Sequence, residues 1–352
     1  MMLLLSMLWA CAPHDTPTPP VPAELGVSDT ADDSDEALGE PVAASLSDTA
    51  DGDEYRRRST HAPPKPRTTG SWRAGLRPRS TGYARPSRGA SVTQLSHALV
   101  ELDRLAPLRL AGSWDNVGLL LQGTRPLRRV GLTIDLTEPV ATELLDADCD
   151  LIVSYHPPIF KGLTHLTEAS PRGRTLLRLV RQGVHVYSPH TALDAAAAGM
   201  AEWLLAPFGE LLDARPITPD AIDPALGAGR QATLAEALPL DALLPRLREH
   251  LGLHALRVAS LDPRRPVTTV AVCPGAGGSL FAGLGPVDLL LTGEMRHHDV
   301  LARFEAGSSV VLTDHTNTER GYLPILAQRL EGALQLPVVR ATADRDPLEV
   351  WS

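Results

Sequence analysis

Four consecutive residues, Leu151, Ile152, Val153 and Ser154, show no alternation of apolar and polar side chains within the stretch DLIVSYHPPIFKG. A strand of that kind has both faces covered, as in parallel sheets packed between helices. It ends on Tyr155, His156 and two prolines. Pro157 lacks a backbone donor and restricts the residue before it, so the strand stops there with a fixed exit direction. Ligands of doubly wound sheets bind beyond the carboxyl ends of the strands. His156 is therefore a candidate functional side chain by position, with a structural histidine as the alternative.

The same grammar repeats along the chain. The leucines at 95, 99, 102 and 105 recur at helical spacing behind Ser91, a candidate N-cap. A turn at Asp115-Asn116 precedes an apolar strand ending at Gly123, and Val130 to Leu136 forms the next strand. Thr137 and Pro139 open a helix, Gly183 closes another, and VHVYSPH is a further strand before the helix TALDAAAAGMAEWLLAPFG. From about residue 230 the pattern resumes with LPLDALLPRLREHLG and RHHDVLARFEAG as helices. LHALRVAS, VTTVAVCPGAGGSL, VDLLLTGEM and SSVVLTDH read as strands, and TERGYLPILAQRLEGAL as the closing helix. Strands alternating with helices predict an α/β fold of two lobes, about 91–210 and about 230–352.

Residues 1–90 differ. Residues 13–54 are rich in Pro, Thr, Ser, Asp and Glu, and 55–90 in Arg, Pro, Ser and Gly. Neither part has periodic apolar residues to offset its ordering entropy, so this segment is expected to be disordered. The apolar run in MMLLLSMLWACAPH is too short to span a bilayer. LWAC is similar to a lipoprotein cleavage box with Cys11 as the lipidated residue, but no basic residue precedes the run. The alternatives are an exported lipoprotein and a cytoplasmic protein whose true start lies near Ser91; the cytoplasmic reading is preferred. A net charge of −9 argues against nucleic acid as the main partner. Cys11, Cys149 and Cys273 form no CxxC pair, so they define neither a disulfide framework nor a zinc ribbon.

Four segments place ligand-type side chains at strand ends: His156; His190 with Asp194; Glu294 with His297 and His298; and Asp314 with His315 and Glu319. Imidazole with carboxylate suits zinc, iron, manganese or cobalt. His315 and Glu319 are four apart, a helical spacing that aims both side chains the same way. Thr316 and Glu319 also fit a capping box, which would turn that carboxylate to the backbone instead. Likewise Asp194 could cap a helix beside a satisfied His190. His297 reads as part of a solvated helix face. CPGAGGSL lacks both the dinucleotide and the P-loop pattern and reads as a tight turn whose N–H groups approach a ligand. No GxSxG elbow is present to support a serine hydrolase.

In order along the chain, SWDNVGLLLQG, SYHPPIFKG, GVHVYSPHTALDA, VAVCPGAGGSL, LLLTGEM and LTDHTNTERGYL resemble the Nif-three-like dinuclear metal-centre proteins. The resemblance runs from about Ser91 to the C-terminus. Many bacterial members are called GTP cyclohydrolase I type 2 homologues. The resemblance implies two related α/β lobes with a metal site between them, assembled as a homohexamer. It implies one or two divalent ions held by His156, Asp194, His315 and Glu319. The implied activity is that of a metal-dependent hydrolase acting on a nucleotide or phosphoester, with Glu319 and Asp194 handling the water. A non-enzymatic metal-binding regulatory or scaffold protein is the alternative. One position departs from the pattern: bacterial members carry two adjacent histidines where this chain has Tyr155-His156. A neutral phenol, with pKa of about 10, is a poor ligand for most divalent ions, so the second ion is placed in doubt.

Overall fold

The computed structural model describes residues 93–349. The expected disordered segment, Cys11 and the Ser91 cap lie outside them. Helix α1 (Leu95–Leu105) leads to β1 (Gly118–Leu121) and β2 (Val130–Thr133). Helix α2 (Glu138–Asp146), β3 (Leu151–Ser154), α3 (Pro171–Gln182) and β4 (His185–Ser188) follow. Two short helices, α4 (His190–Ala195) and α5 (Met200–Leu205), replace the single helix expected after β4. Next come β5 (Leu211–Arg215), the small hairpin β6 (Thr218–Pro219) and β7 (Gly227–Ala228), and β8 (Arg230–Pro239). Then follow α6 (Leu240–Leu251), β9 (Arg257–Ala259), β10 (Pro266–Ala276), α7 (Gly278–Ala282), β11 (Leu289–Glu294) and α8 (His297–Glu305). The last elements are β12 (Ser309–Leu312), α9 (Leu323–Leu334) and β13 (Val338–Arg340).

Two sheets result. The first has the order β1-β4-β3-β2-β13, with β4, β3, β2 and β13 parallel and β1 antiparallel at the edge. The second has the order β5-β8-β10-β11-β12-β9, in which β10, β11 and β12 are parallel and the flanking strands antiparallel. Every residue of β2, β3, β4 and β12 is buried. In β3 the side chains divide by parity: Leu151 and Val153 join the core under α1 and α9, while Ile152 joins the core under α2 and α3. In β11, Leu289 and Leu291 face one core and Leu290 the other. That double coverage is why these strands read as unbroken apolar runs.

The first sheet is not built from the first half alone. β13 pairs with β2, and Leu326, Leu330 and Leu334 of α9 enter the core of the first sheet. The expected division at about 210 and 230 therefore leaves out the return of residues 323–340 to the first layer. The strands between 211 and 239 were not expected either. β8 is rich in alanine and has Thr233 as its one β-branched residue, so its burial comes from position within the sheet. Arg230, which opens it, is 2% exposed and donates to the carbonyls of Gly227 and Gly229 at 2.6 and 2.8 Å and to Glu202 at 3.0 Å. Among the described residues, no helix is long and apolar enough to cross a membrane.

Candidate metal centre

The ladder between β2 and β3 runs past both strands. Tyr155 N donates to Thr133 O at 2.9 Å and His156 N to Ile134 O at 3.0 Å. This puts Asp135 and His156 side by side at the two carboxyl ends. His156 Nδ1 lies 2.8 Å from Asp135 Oδ1. Arg320 holds the other Asp135 oxygen at 3.1 Å and reaches Asp344 at 2.7 Å. With Nδ1 so engaged, the Nε2 of His156 turns to Glu319 Oε2, 3.4 Å away.

The second sheet supplies the rest. After β12 the chain turns through Asp314, at φ 66°, into a 3₁₀ turn over His315–Thr318. His315 Nε2 lies 3.5 Å from Glu319 Oε1, and its Nδ1 lies 3.0 Å from Glu294 Oε2. The helix proper begins only at Leu323. The capping-box alternative therefore fails: Thr316 gives its hydroxyl to Asp346, and Glu319 sits ahead of the helix rather than in its first turn. Two glycines admit these groups. At Gly293 a Cβ would stand 2.7 Å from His315 Cα. At Gly275, with φ +61°, it would stand 2.9 Å from His315 Nε2 and 3.0 Å from Glu319 Oε1. The N–H groups of Gly275 and Gly277 are taken by the Thr318 and Thr292 hydroxyls at 2.8 and 2.9 Å. The expectation that this turn offers those N–H groups to a ligand is thus not met at either glycine.

His156, His315 and Glu319 each offer one donor atom, and these lie within 4.8 Å of one another. Glu319 is 1% exposed, and its Oε2 has no hydrogen-bond partner among the described residues. A buried carboxylate oxygen with no hydrogen-bond donor calls for a cation, and without an ion the His156 imidazolium, 3.4 Å away, is the charge that faces it. The donor set, the orphaned oxygen and the space kept free at Gly275 fit a divalent ion. Burial would lower the pKa of His156, but the carboxylates of Asp135 and Glu319 outweigh it and push the value to about 10. A proton thus occupies the imidazole where the ion would bind, and binding must release it. Apparent metal affinity should therefore fall on acidification, by about tenfold per pH unit across neutral pH. Competition against a chromophoric chelator at several pH values checks this; an affinity flat with pH would contradict it.

Asp194 lies inside α4 rather than capping a following helix, and lines the same cavity. Its Oδ1 accepts a hydrogen bond from the buried Tyr155 hydroxyl at 2.7 Å. Burial raises its pKa to about 7 against the lowering effect of that bond. Asp194 is not part of the convergent group, so three of the four expected ligands come together. His190 does not pair with Asp194: its Nδ1 meets Asp115 Oδ1 at 2.8 Å. Glu294 touches His315 from the exposed end of β11. Asp314 approaches Arg257 at 3.7 Å. His297 and His298 are exposed at the start of α8, their ring centroids 5.4 Å apart. Asp135, Asp115 and Arg320 were missed. Asp135 lies next to last in the strand VGLTIDL, so the strand-end rule that singled out His156 applies to it equally. The cavity, of about 1310 Å³, is lined by Asp135, His156, His190, Asp194, His315 and Glu319, among others.

Residues 93–347 match the Duf34/NIF3 (NGG1p interacting factor 3) family. The protein NIF3 homolog of Schizosaccharomyces pombe is 40% identical over 258 residues, covering 68% of this chain and 92% of that protein. NIF3-like protein 1 of Drosophila melanogaster is 36% identical over 264 residues, covering 72% and 88%. Among solved structures, a Bacillus cereus protein related to NIF3 superposes with a TM-score of 0.65 at 17% identity, over 74% of this chain and all of that one (100%). A Thermus thermophilus protein superposes with a TM-score of 0.59 at 26% identity, over 72% and 99%.

Proposed function

The chain belongs to the Duf34/NIF3 family, and from that premise we propose that it is a metal-dependent hydrolase of a small molecule, a nucleotide or another phosphoester. The observation that carries the reading is Glu319, buried between two imidazoles with one oxygen unpaired. His156, His315 and Glu319 would hold the ion, and their donors suit zinc, iron, manganese or cobalt. A divalent ion held there would lower the pKa of a bound water and polarise a carbonyl, ring carbon or phosphoryl group. Asp135 and Glu294 orient the two imidazoles through their Nδ1 atoms. Asp194, raised to about 7 by burial, is the proposed proton acceptor at neutral pH. Tyr155 holds one of its oxygens and leaves the other for that task. The proposed setting is cytoplasmic; the proposed assembly is a homohexamer, which the resemblance implies.

The reading assigns one ion per chain. Tyr155 stands where the resemblance would put a second imidazole, and a phenol is a poor ligand. Elemental analysis should find about one equivalent in the wild type, almost none in His156→Ala, and a wild-type level in Asp194→Ala. Tyr155→His should raise the content towards two. Unchanged content in His156→Ala, or two equivalents in the wild type, would sink the assignment. Turnover is tested by a nucleotide and phosphoester panel with zinc, iron or manganese restored. Full occupancy without turnover would favour the second reading, a non-enzymatic metal-binding regulatory or scaffold protein. A relative's name supports that reading: the Saccharomyces cerevisiae protein, 35% identical, is called NGG1-interacting factor 3.

A further inference from the structure

Trp114 is 65% exposed, the largest exposure of any aromatic side chain among the described residues. A single exposed tryptophan is ordinary in itself. This one sits on a loop that is pinned at several points. Asp115 N donates to Gly112 O at 2.9 Å. The Asp115 side chain is fully buried, contacts His190 at 2.8 Å, and accepts from Thr191 N at 3.2 Å and from the Thr191 hydroxyl. Thr191 Oγ1 in turn accepts from Gly112 N at 3.0 Å. Asn116 Nδ2 donates to Ile159 O, which ties the loop to the segment carrying Phe160.

The indole lies on Gly112: a methyl group there would stand 2.9 Å from its Cε2 and Nε1 atoms. One side of the ring is thus seated on backbone, and the large exposure belongs to the rest. Phe160, 39% exposed, stands beside it at 6.0 Å between centroids with a 55° tilt. The His190 ring stands near-perpendicular to both at 6.2 Å. All three rings line the cavity that holds His156, His315 and Glu319. A volume of about 1310 Å³ far exceeds what an ion and its waters fill, at about 30 Å³ per water. Arg172 lines the same cavity and has no ion-pair or hydrogen-bond partner among the described residues.

We propose that Trp114 is a stacking platform for a planar heteroaromatic ring of the ligand processed at the metal centre. The ligand class is a nucleobase-like heterocycle carrying an anionic group, which Arg172 would meet. The inference rests on the metal-centre reading, narrows the ligand to one with a stacking ring, and names the residue that holds that ring. A seated, preorganised ring loses little entropy when a second ring covers its open side. Such stacking tolerates different heterocycles, because each has a π face.

The test is calorimetric titration of guanosine 5′-monophosphate and of ribose 5-phosphate into the zinc-reconstituted full chain, with Trp114→Ala and Trp114→Phe beside it. The purine nucleotide is expected to bind, and Trp114→Ala to weaken it by about five- to hundredfold. Trp114→Phe should keep most of the affinity, and the ringless sugar phosphate should respond to neither change. Unchanged nucleotide affinity in Trp114→Ala overturns the proposal. So does equal affinity for the ringless compound, or no purine binding by wild type that holds its metal. Metal content is read on the same samples and should match wild type in both variants; its loss would make Trp114 part of the centre and overturn the platform role. If wild type holds no metal, the centre fails separately, and the purine titration still decides the platform.

Discussion

Replacing Glu319 with glutamine is expected to lower metal affinity by at least about a hundredfold, since even groups that only orient ligands contribute about 10–100-fold. The amide keeps the shape of the side chain and removes the charge that both imidazoles face, at 3.4 and 3.5 Å. The metal-free protein should itself lose some stability at neutral pH, because the His156 imidazole, whose pKa Asp135 and Glu319 raise, loses one of its two carboxylate partners. What should disappear is the rise in melting temperature on adding metal, because an ion stabilises only to the extent that it binds the folded chain. Chelator competition and thermal unfolding with and without zinc measure both effects. A Glu319→Gln protein that binds zinc as tightly as wild type would remove Glu319 from the centre.

Gly293→Ala should produce a large loss of stability at the turn that delivers His315. The added Cβ would stand 2.6 Å from Gly275 O, 2.7 Å from His315 Cα and 2.8 Å from His315 O. All three contacts are backbone, so no rotamer change relieves them. Overpacking of this kind costs typically 1–3 kcal/mol, and about 3 kcal/mol or more is expected here. The strand Leu289–Glu294 and the turn at His315 must move apart, so metal affinity should fall with stability. Gly332→Ala is the control: it lies in α9 with nothing within 4 Å of the new atom. That change should stabilise by about 0.4–1 kcal/mol through the unfolded chain. Denaturant melts of both variants decide the point; a Gly293→Ala protein as stable as wild type would mean that the close approach does not constrain the site.

Most of the architecture was legible because parallel strands covered on both faces leave unbroken apolar runs, as at Leu151–Ser154 and Ser309–Leu312. β8 was not, since its alanines carry no strand signal and its place depends on neighbours distant in sequence. His156 was found from strand-end position alone. His315 and Glu319 were singled out by their spacing with a capping box as the alternative, and only the resemblance made them ligands; the turn that delivers them is 3₁₀ rather than α-helical. Asp194 was placed at the right cavity, but its contact with Tyr155 joins residues 39 positions apart, which no local pattern reveals. Asp115 read as a plain turn residue because its partner His190 lies 75 positions away. Local rules thus point to several of the side chains that reach the cavity, pass over Asp135, and miss which of them are already spoken for.

The pairing of β13 with β2 also governs when the molecule can become whole. A ribosome delivers the strands of the first sheet early, yet the strand that completes its edge is made some two hundred residues later, at Val338–Arg340. Until then β2 presents an open ladder of backbone groups, the kind of edge that recruits other strands. The same stretch of synthesis yields His315 and Glu319 just before the closing helix and strand. Newly made chains therefore pass through a long interval with half a centre and an unguarded edge, and completion of both falls at nearly the same moment of translation.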